Sequence, residues 1–261
     1  MSGSDRNNPR KPPRVSSCRI EQVEGRNPVL EALKGPRKVH AVYIADGAGG
    51  AAVAAVKELA ARKEVPVKII PRGDLESMAS TDVPQGVIAR VAPYRCFELE
   101  DVLERAKSRV PLLLALDGVE DPHNLGSLLR VADATGVDGV VVTRRRTAPI
   151  GPSVARASAG ALEHVHLARV ANIAATLERL KEEGLWVVGA DGDAPDDYTA
   201  IDMTMPLVIV LGGEGKGLSR LVRERCDFLV KIPMLGRVSS LNVATAGAVL
   251  LYEAVRQRGG G

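Results

Sequence analysis

The chain is short of aromatic residues, cysteines and long apolar runs, and each shortage narrows what it can be. Aromatic residues make up 3% of its 261 residues, which argues against a surface that stacks single-stranded bases on a row of rings. The three cysteines, Cys18, Cys96 and Cys226, lie far apart without a CxxC pair, so neither a disulfide framework nor a zinc site is expected. No apolar run reaches the roughly 18 residues that span a bilayer, and the N-terminus lacks the apolar core of a signal peptide. We therefore expect a cytoplasmic protein without a metal.

The formal net charge of +3 is concentrated at the N-terminus. Residues 1–17 contain four basic residues and one acidic residue, interspersed with prolines. This composition predicts a disordered basic tail. Two interpretations stay open: the tail binds a polyanion, or it only keeps the protein in solution.

The remaining chain alternates between short apolar segments and amphipathic ones. This pattern predicts a small α/β domain over residues 18–95, a connecting helix over 96–110 and a larger domain over 111–261. In the larger domain, buried strands such as Leu112–Asp117 and Gly139–Thr143 alternate with helices. Such alternation is typical of a parallel sheet covered by helices on both faces.

Several polar residues stand where local structure alone would explain them. Asn27, Asn124 and Ser240 each precede an expected helix, as N-caps do. His164 and His166 are expected to share one face of a strand over 164–170, without a third metal ligand nearby. All of these residues have a purely structural interpretation.

The strongest local signal is the apolar run Leu207–Leu211 and the glycines that follow it. Four glycines occur in six residues, at positions 212, 213, 215 and 217. The run predicts a buried strand, and the glycines let the backbone take positive φ and approach a ligand closely. Neither a Walker A loop nor a Rossmann fingerprint fits, because Leu218 follows Gly217. We expect a pocket at the carboxyl end of this strand, although a tight turn alone would also require glycines.

Two arginine-containing stretches are further candidates. Asn124 and Arg130 are six residues apart, or about 240° around an ideal helix, so a helix cap and a solvated arginine are the simpler interpretation of that segment alone. Arg144–Arg146 follow the carboxyl end of a predicted strand. They form either a solvated loop or a contact with RNA phosphates.

Taken together, three blocks resemble the three motifs of the SpoU (TrmH-type) branch of the SPOUT RNA 2′-O-ribose methyltransferases. The blocks are Asn124–Arg130, Val210–Ser219 and Ile232–Ala254, in the order and spacing of that family. The segments Val23–Leu33 and Pro84–Val91 resemble the family's N-terminal substrate-binding domain, which is itself similar to a ribosomal RNA-binding protein. The similarity is greatest to the RlmB-like group, which methylates a guanosine ribose in 23S ribosomal RNA.

The resemblance implies a SPOUT fold with a deep trefoil knot, bound S-adenosyl-L-methionine and a homodimer whose active site is completed across the interface. The expected cofactor-binding residues, at the matching positions, are Leu211, Gly212, Gly213, Ile232, Met234, Ser240 and Leu241. The expected catalytic residues are Asn124, Arg130, Glu214, Ser240 and Asn242. Arg130 would either activate the ribose hydroxyl or stay charged and stabilise the alkoxide.

The expected substrate is large-subunit ribosomal RNA. Alternatives within the family are a transfer-RNA ribose methyltransferase and an antibiotic-resistance methylase. An alternative of another class is a catalytically silent RNA-binding factor.

Overall fold

The computed structural model describes residues 21–107 and 109–259. The predicted basic tail, residues 1–17, and Cys18 lie outside these ranges. Over the described ranges, no helix is both long enough and apolar enough to cross a membrane.

Within residues 21–107, four strands form a mixed sheet, called here the N-terminal sheet, in the order β1-β4-β2-β3. The strands are β1 (Glu21–Glu24), β2 (Val39–Ala45), β3 (Val67–Ile70) and β4 (Val87–Val91). Helices α1 (Arg26–Lys34) and α2 (Ala51–Arg62) pack on one face, and α3 (Arg72–Met78) packs on the other. Alternation along β2 supplies both faces: Val42 and Ile44 pack with α1 and α2, whereas Ala45 packs with α3.

Within residues 109–259, seven parallel strands form the C-terminal sheet, in the order β7-β6-β5-β10-β8-β11-β9. The strands are β5 (Leu112–Asp117), β6 (Gly139–Thr143), β7 (Leu167–Val170), β8 (Trp186–Ala190), β9 (Asp196–Asp197), β10 (Leu207–Gly212) and β11 (Phe228–Lys231). The helices around it are α4 (Leu99–Ala106), α5 (Pro122–Ala134), α6 (Pro152–Ala157), α7 (Ile173–Glu182), α8 (Arg220–Arg225) and α9 (Val243–Gln257).

Both faces of the C-terminal sheet are buried. Along β5, Leu114 and Leu116 pack with α5 and α9, whereas Leu113 and Ala115 pack with α4 and α7. The central strands β5 and β10 are therefore apolar at nearly every position, as parallel strands between two helical layers are. This is the parallel sheet that the sequence predicts.

The two sheet-containing units meet at a buried ion pair. The guanidinium of Arg37, after α1, donates to both carboxylate oxygens of Glu163, with Nε lying 3.0 Å from Oε2, and its Nη1 lies 3.2 Å from Glu21 Oε2. The side chains of Arg37 and Glu163 are 8% and 2% exposed. A second contact joins His164 Nε2 to Glu31 Oε2 at 2.9 Å. We call these five residues the junction.

Three predicted helix caps are wrong. Helix α1 begins at Arg26 with Gly25 as its N-cap, so Asn27 lies inside the first turn. Helix α5 begins at Pro122, and its N-cap is Asp121. Asp121 takes this role because its carboxylate accepts the amide hydrogen of Asn124 at 2.8 Å and proline suits the first helical position.

The third cap lies at the start of α9. This helix begins at Val243, and its N-cap is Asn242 rather than Ser240. Asn242 Oδ1 accepts the amide hydrogen of Ala244 at 2.9 Å. The side chain of Ser240 is thereby left outside the helix.

The expected strand over 164–170 is also shorter than predicted, because β7 begins at Leu167. His164 therefore lies in the junction, and His166 packs against the ring of Phe97 with 4.2 Å between ring centroids. The two histidines do not share a strand face.

Candidate active site

The loop after β10 consists of glycines for steric reasons. A Cβ atom on Gly212 would lie 2.0 Å from the carbonyl carbon of Gly217, and one on Gly213 would lie 2.1 Å from the carbonyl oxygen of Gly118. Gly215 and Gly217 have φ angles of 76° and 61°, in the left-handed region that glycine adopts at little cost. The glycines do serve a tight turn, and that turn forms one wall of a cavity.

Asp117, the last residue of β5, fixes both ends of this glycine loop. Its carbonyl oxygen accepts the amide hydrogen of Gly213 at 2.9 Å, and its Oδ2 accepts that of Ser219 at 2.9 Å. The carboxylate is buried, and its Oδ1 lies 3.4 Å from Arg146 Nη2. The sequence identifies Asp117 as the end of a strand, but its contact with Ser219 requires the folded chain.

A cavity of about 630 Å³ lies at the carboxyl edge of the C-terminal sheet. Its walls are the glycine loop, the segments that follow β8 and β11, and the segment that leads into α9. The seven residues predicted to bind the cofactor all line it: Leu211, Gly212, Gly213, Ile232, Met234, Ser240 and Leu241. They converge because the carboxyl ends of parallel strands lie at one edge of a sheet.

Three of the predicted catalytic residues are joined by their side chains. Asn124 Nδ2 donates to Glu214 Oε1, and Asn242 Nδ2 donates to Asn124 Oδ1 at 2.8 Å. We call Asn124, Glu214 and Asn242 the amide network. It links the beginnings of α5 and α9 to the glycine loop. Because the side chain of Asp121 caps α5, the side-chain amide of Asn124 is not needed as a cap and is free for these contacts.

The other two predicted catalytic residues lie differently. Ser240 lines the cavity. Arg130 is exposed on α5, about 9 Å further along the helix axis than Asn124. It does not line the cavity, and its guanidinium makes no hydrogen bond or ion pair with any residue that the structure describes. A single chain therefore brings four of the five residues to the cavity region and leaves Arg130 outside.

Sequence reasoning missed two charged residues of the cavity wall, Lys231 at the end of β11 and Asp191. Asp191 is the acidic one of the two. It follows β8, lines the cavity, and its Oδ2 lies 3.0 Å from Arg223 Nε. Its Oδ1 accepts the amide hydrogen of Asp193 at 2.9 Å. The available signal was its position after a buried strand, since β8 lies next to β10 in the sheet.

The cavity suits a cationic, nucleoside-containing ligand. Its volume lies within the range of roughly 300–1,000 Å³ that small-molecule sites occupy. Leu211, Ile232 and Met234 supply apolar contacts for a flat base, while the carboxylates of Asp191 and Glu214 offer acceptors for hydroxyl, amino and positively charged groups. S-adenosylmethionine has all of these features, so the residues present fit it.

Within residues 21–107 and 109–259, other reactive side chains do not form a competing site. Burial raises the pKa of the Cys226 thiol to about 12, so it is protonated and a poor nucleophile at neutral pH. Among the residues that the structure describes, no group of three or more His, Cys, Asp or Glu side chains could hold a metal ion.

The parallel sheet, the glycine loop and the cavity at the carboxyl edge define an α/β protein that binds a nucleoside-type cofactor, with a polar network beside it. Comparison with known proteins identifies the family. Residues 111–252 match the SpoU rRNA methylase family, and residues 22–96 match the RNA 2′-O ribose methyltransferase substrate-binding family. The chain belongs to the SpoU methylase family.

Relatives along nearly the whole chain agree with this assignment. YacO of Bacillus subtilis (strain 168), named for the TrmH family of tRNA/rRNA methyltransferases, is 46% identical over 91% of this chain and 96% of its own. The solved SpoU methyltransferase AviRb of Streptomyces viridochromogenes, in complex with the cofactor AdoMet, has a TM-score of 0.77 at 29% identity, over 92% of this chain and 91% of that one. An AdoMet-bound rRNA methyltransferase of Sinorhizobium meliloti has a TM-score of 0.74 at 26% identity, over 91% and 87% of the two chains.

These findings confirm the predicted SPOUT fold with an N-terminal substrate-binding domain. They also confirm the predicted enzyme class and cofactor. The protein is an S-adenosylmethionine-dependent RNA methyltransferase of the TrmH type, acting on transfer RNA or ribosomal RNA.

Proposed function

We propose that this enzyme methylates the ribose 2′-hydroxyl of a guanosine in 23S ribosomal RNA. The observation that carries the proposal is the cavity at the carboxyl edge, with the amide network beside it. An N-terminal substrate-binding domain supports a large folded RNA as the substrate. The proposal also includes a cytoplasmic location and four segments of the chain. These are a basic tail (1–17), an RNA substrate-binding domain (18–95), a connecting helix (96–110) and a methyltransferase domain (111–261).

Methyl transfer from a sulfonium requires neither a metal nor a covalent enzyme intermediate. It requires in-line positioning and the transfer of a proton from a weakly acidic hydroxyl to solvent water, because a charged guanidinium cannot accept it. The bound cofactor supplies the electrophilic methyl group. The task left to this chain is to hold the ribose oxygen in place and to stabilise the charge that develops on it.

Arg130 performs the second task in this proposal. A guanidinium deprotonates only at great cost, because its conjugate base is far more basic than water at neutral pH. Arg130 therefore stays charged and stabilises the developing alkoxide, as donors in oxyanion sites do. The ribose is oriented by Asn124, Asn242 and Ser240. Glu214 accepts a hydrogen bond from the side-chain amide of Asn124 and shapes the glycine loop.

The exposure of Arg130 supports a homodimer in which each active site takes Arg130 from the partner chain. Two variants test this arrangement. Arg130→Ala removes the charged group, and Gly212→Ala destroys the cofactor cavity, so each homodimer should be inactive. Mixed dimers should recover activity, because one of their two sites combines an intact cavity with an intact Arg130. If Arg130 acts within its own chain, mixing restores nothing.

The function itself is tested by calorimetric titration with S-adenosylmethionine and its demethylated product, followed by transfer of tritiated methyl groups to unmodified RNA. Binding with transfer to large-subunit ribosomal RNA is the expected result. Transfer to transfer RNA instead would favour the alternative that the names of the relatives leave open. Binding of neither form of the cofactor would overturn the enzymatic role and leave an RNA-binding protein.

A further inference from the structure

The three consecutive arginines after β6 lie at the same edge of the sheet as the cofactor cavity. Thr143 ends β6, and the strand order β6-β5-β10 aligns it with Asp117 and Gly212. Neighbouring strands are about 4.8 Å apart, so Arg144 begins about 10 Å from the glycine loop along this edge. The loop is therefore within reach of an RNA strand that presents its ribose to the cavity.

The backbone of the arginine loop is held in place from several sides. The amide of Arg144 donates to Val170 O at 2.8 Å, and that of Ala148 donates to Val119 O at 3.1 Å. Within the loop, the buried hydroxyl of Thr143 donates to Arg145 O and lies 3.1 Å from Thr147 Oγ1. The loop is therefore preorganised, so little ordering entropy remains to be lost when it binds a ligand.

The three arginines do not have the same role. Arg146 adopts a left-handed conformation, with φ of 58°, and its Nη2 lies 3.4 Å from Asp117 Oδ1. The same carboxylate accepts the backbone amide hydrogen of Ser219, at the end of the glycine loop. Arg146 therefore supports the glycine loop through Asp117. The exposed guanidinium groups of Arg144 and Arg145 make no hydrogen bond or ion pair with any described side chain or backbone group.

We propose that Arg144 and Arg145 bind backbone phosphates of the RNA strand next to the methylated ribose, while Arg146 supports the cofactor loop. The ligand is a phosphodiester anion, and the contact positions the strand without reading its sequence. Guanidinium groups suit it because their forked donors match phosphate oxygens. This inference rests on the proposed function, since it assumes that RNA is the substrate.

Counterion release gives a direct test. Each phosphate contact to a single strand contributes about 0.7 to the slope of log K against log salt. Arg144→Ala and Arg145→Ala should each weaken binding of an unmodified large-subunit RNA transcript and lower that slope by about 0.7, and the double variant by about 1.4. The affinity for S-adenosylmethionine should stay unchanged. Arg144→Lys should keep most of the slope, because it keeps the charge.

Two further variants control the interpretation. Arg179→Ala removes the same charge near the end of α7, which leads to the opposite edge of the sheet, and should leave the slope unchanged. Arg146→Ala should weaken cofactor binding.

Unchanged salt slopes in both Arg144→Ala and Arg145→Ala would overturn the proposal and make this a solvated loop. Failure of the wild type to methylate ribosomal RNA would overturn the proposed substrate, but the salt slopes would still report whether these arginines contact the RNA that the protein binds.

Discussion

The junction and the amide network are both polar clusters that join distant parts of the chain, but the hydrogen-bonding groups are buried in the first and accessible in the second. At the junction, the buried guanidinium of Arg37 reaches Glu163, Glu21 and the carbonyl of Ala92. In the amide network, the side chains remain accessible at the rim of a cavity. A buried polar cluster must satisfy itself, whereas an accessible one retains capacity for a ligand. The first arrangement supports structure, and in the proposed function the second positions the substrate.

The two arginines associated with these regions show the contrast most clearly. Arg37 is almost fully buried and paired. Arg130 is exposed, and no residue that the structure describes pairs with it. Both were visible as arginines in the sequence, and only their surroundings separate a structural arginine from one available to a substrate. Substitutions in the two regions should therefore affect different measurements.

The largest effect is expected from two glycine substitutions that separate the regions. In Gly212→Ala the new Cβ would lie 2.0 Å from the backbone of Gly217, so the cavity wall must move. Affinity for S-adenosylmethionine should fall by about 1,000-fold or more, equivalent to roughly 4.1 kcal/mol, as measured by calorimetry. The matched change, Gly160→Ala, meets Glu31 Cβ at 2.5 Å in the junction, and should lower stability while leaving cofactor affinity intact. Equal loss of cofactor binding in both variants would show that the regions are not separate.

The next largest effect is expected from Arg130→Ala. Loss of a group that stabilises developing charge lowers turnover by about 100- to 1,000-fold. Cofactor affinity and the unfolding midpoint should stay near those of the wild type, because Arg130 contacts neither the cavity nor a described partner. Single-turnover methyl transfer and calorimetry check both parts. Retained turnover would remove Arg130 from the mechanism.

Arg37→Ala should instead act on stability. It leaves the carboxylate of Glu163 buried without its partner, which costs about 3 kcal/mol or more near neutral pH. Burial already raises the pKa of Glu163 above its ordinary value of 4.5, with Arg37 opposing the shift. Without Arg37, the carboxyl group can avoid the penalty by keeping its proton, and this relief is greatest at low pH.

Urea unfolding at pH 8 and pH 5 measures this effect. A folded-state pKa above the unfolded value gives a stability contribution that is present at low pH and lost as the pH rises through the folded pKa. The loss caused by Arg37→Ala should therefore be smaller at pH 5. The double variant with Glu163→Gln should lose less than Arg37→Ala alone at pH 8. A loss that does not change with pH would contradict this account of the junction.

The smallest effect is expected at Asn242, which has two roles that substitutions can separate. Asn242→Ala removes both the N-cap of α9 and the donor to Asn124, and should cost about 1 kcal/mol of stability. Asn242→Ser keeps a good cap but has no amide to donate. Both variants should lose turnover, and only the alanine variant should lose stability. Full activity in Asn242→Ser would show that capping is the only role of this residue.

Local sequence placed the central strands correctly but misplaced three helix starts. Leu112–Asp117 was placed correctly because each of its residues is buried. In the segment Asp121–Asn124, two polar residues compete to cap one helix, and local pattern does not decide between them. Asp121 succeeds because its carboxylate reaches the amide of Asn124. The error concerned the site directly, since a capping Asn124 could not serve Glu214 and Asn242 in the same way.

The cavity residues were predicted through resemblance to a family, and the position of Gly212 could also be argued from its own chemistry. Asp191 and the β11 strand were missed. The position of Asp191 after a buried strand was a weak signal, because an aspartate there is ordinary until the neighbouring strand is known. The different roles of the three arginines could not be predicted either. Within the described residues, Arg146 is paired and Arg144 and Arg145 are not, because only Arg146 contacts Asp117, 29 residues away in the chain.

The amino-acid sequence by itself determined the alternation of strands and helices, the glycine turn after β10 and the family to which the chain belongs. These features follow from burial patterns, backbone freedom and residue types at short range. The tertiary structure alone decided that Asn124 meets Glu214, 90 residues later, and that Arg37 meets Glu163, 126 residues later. The physical reason is that a side chain's role depends on which partners desolvate it or leave it free, and those partners are brought together only when the sheets form.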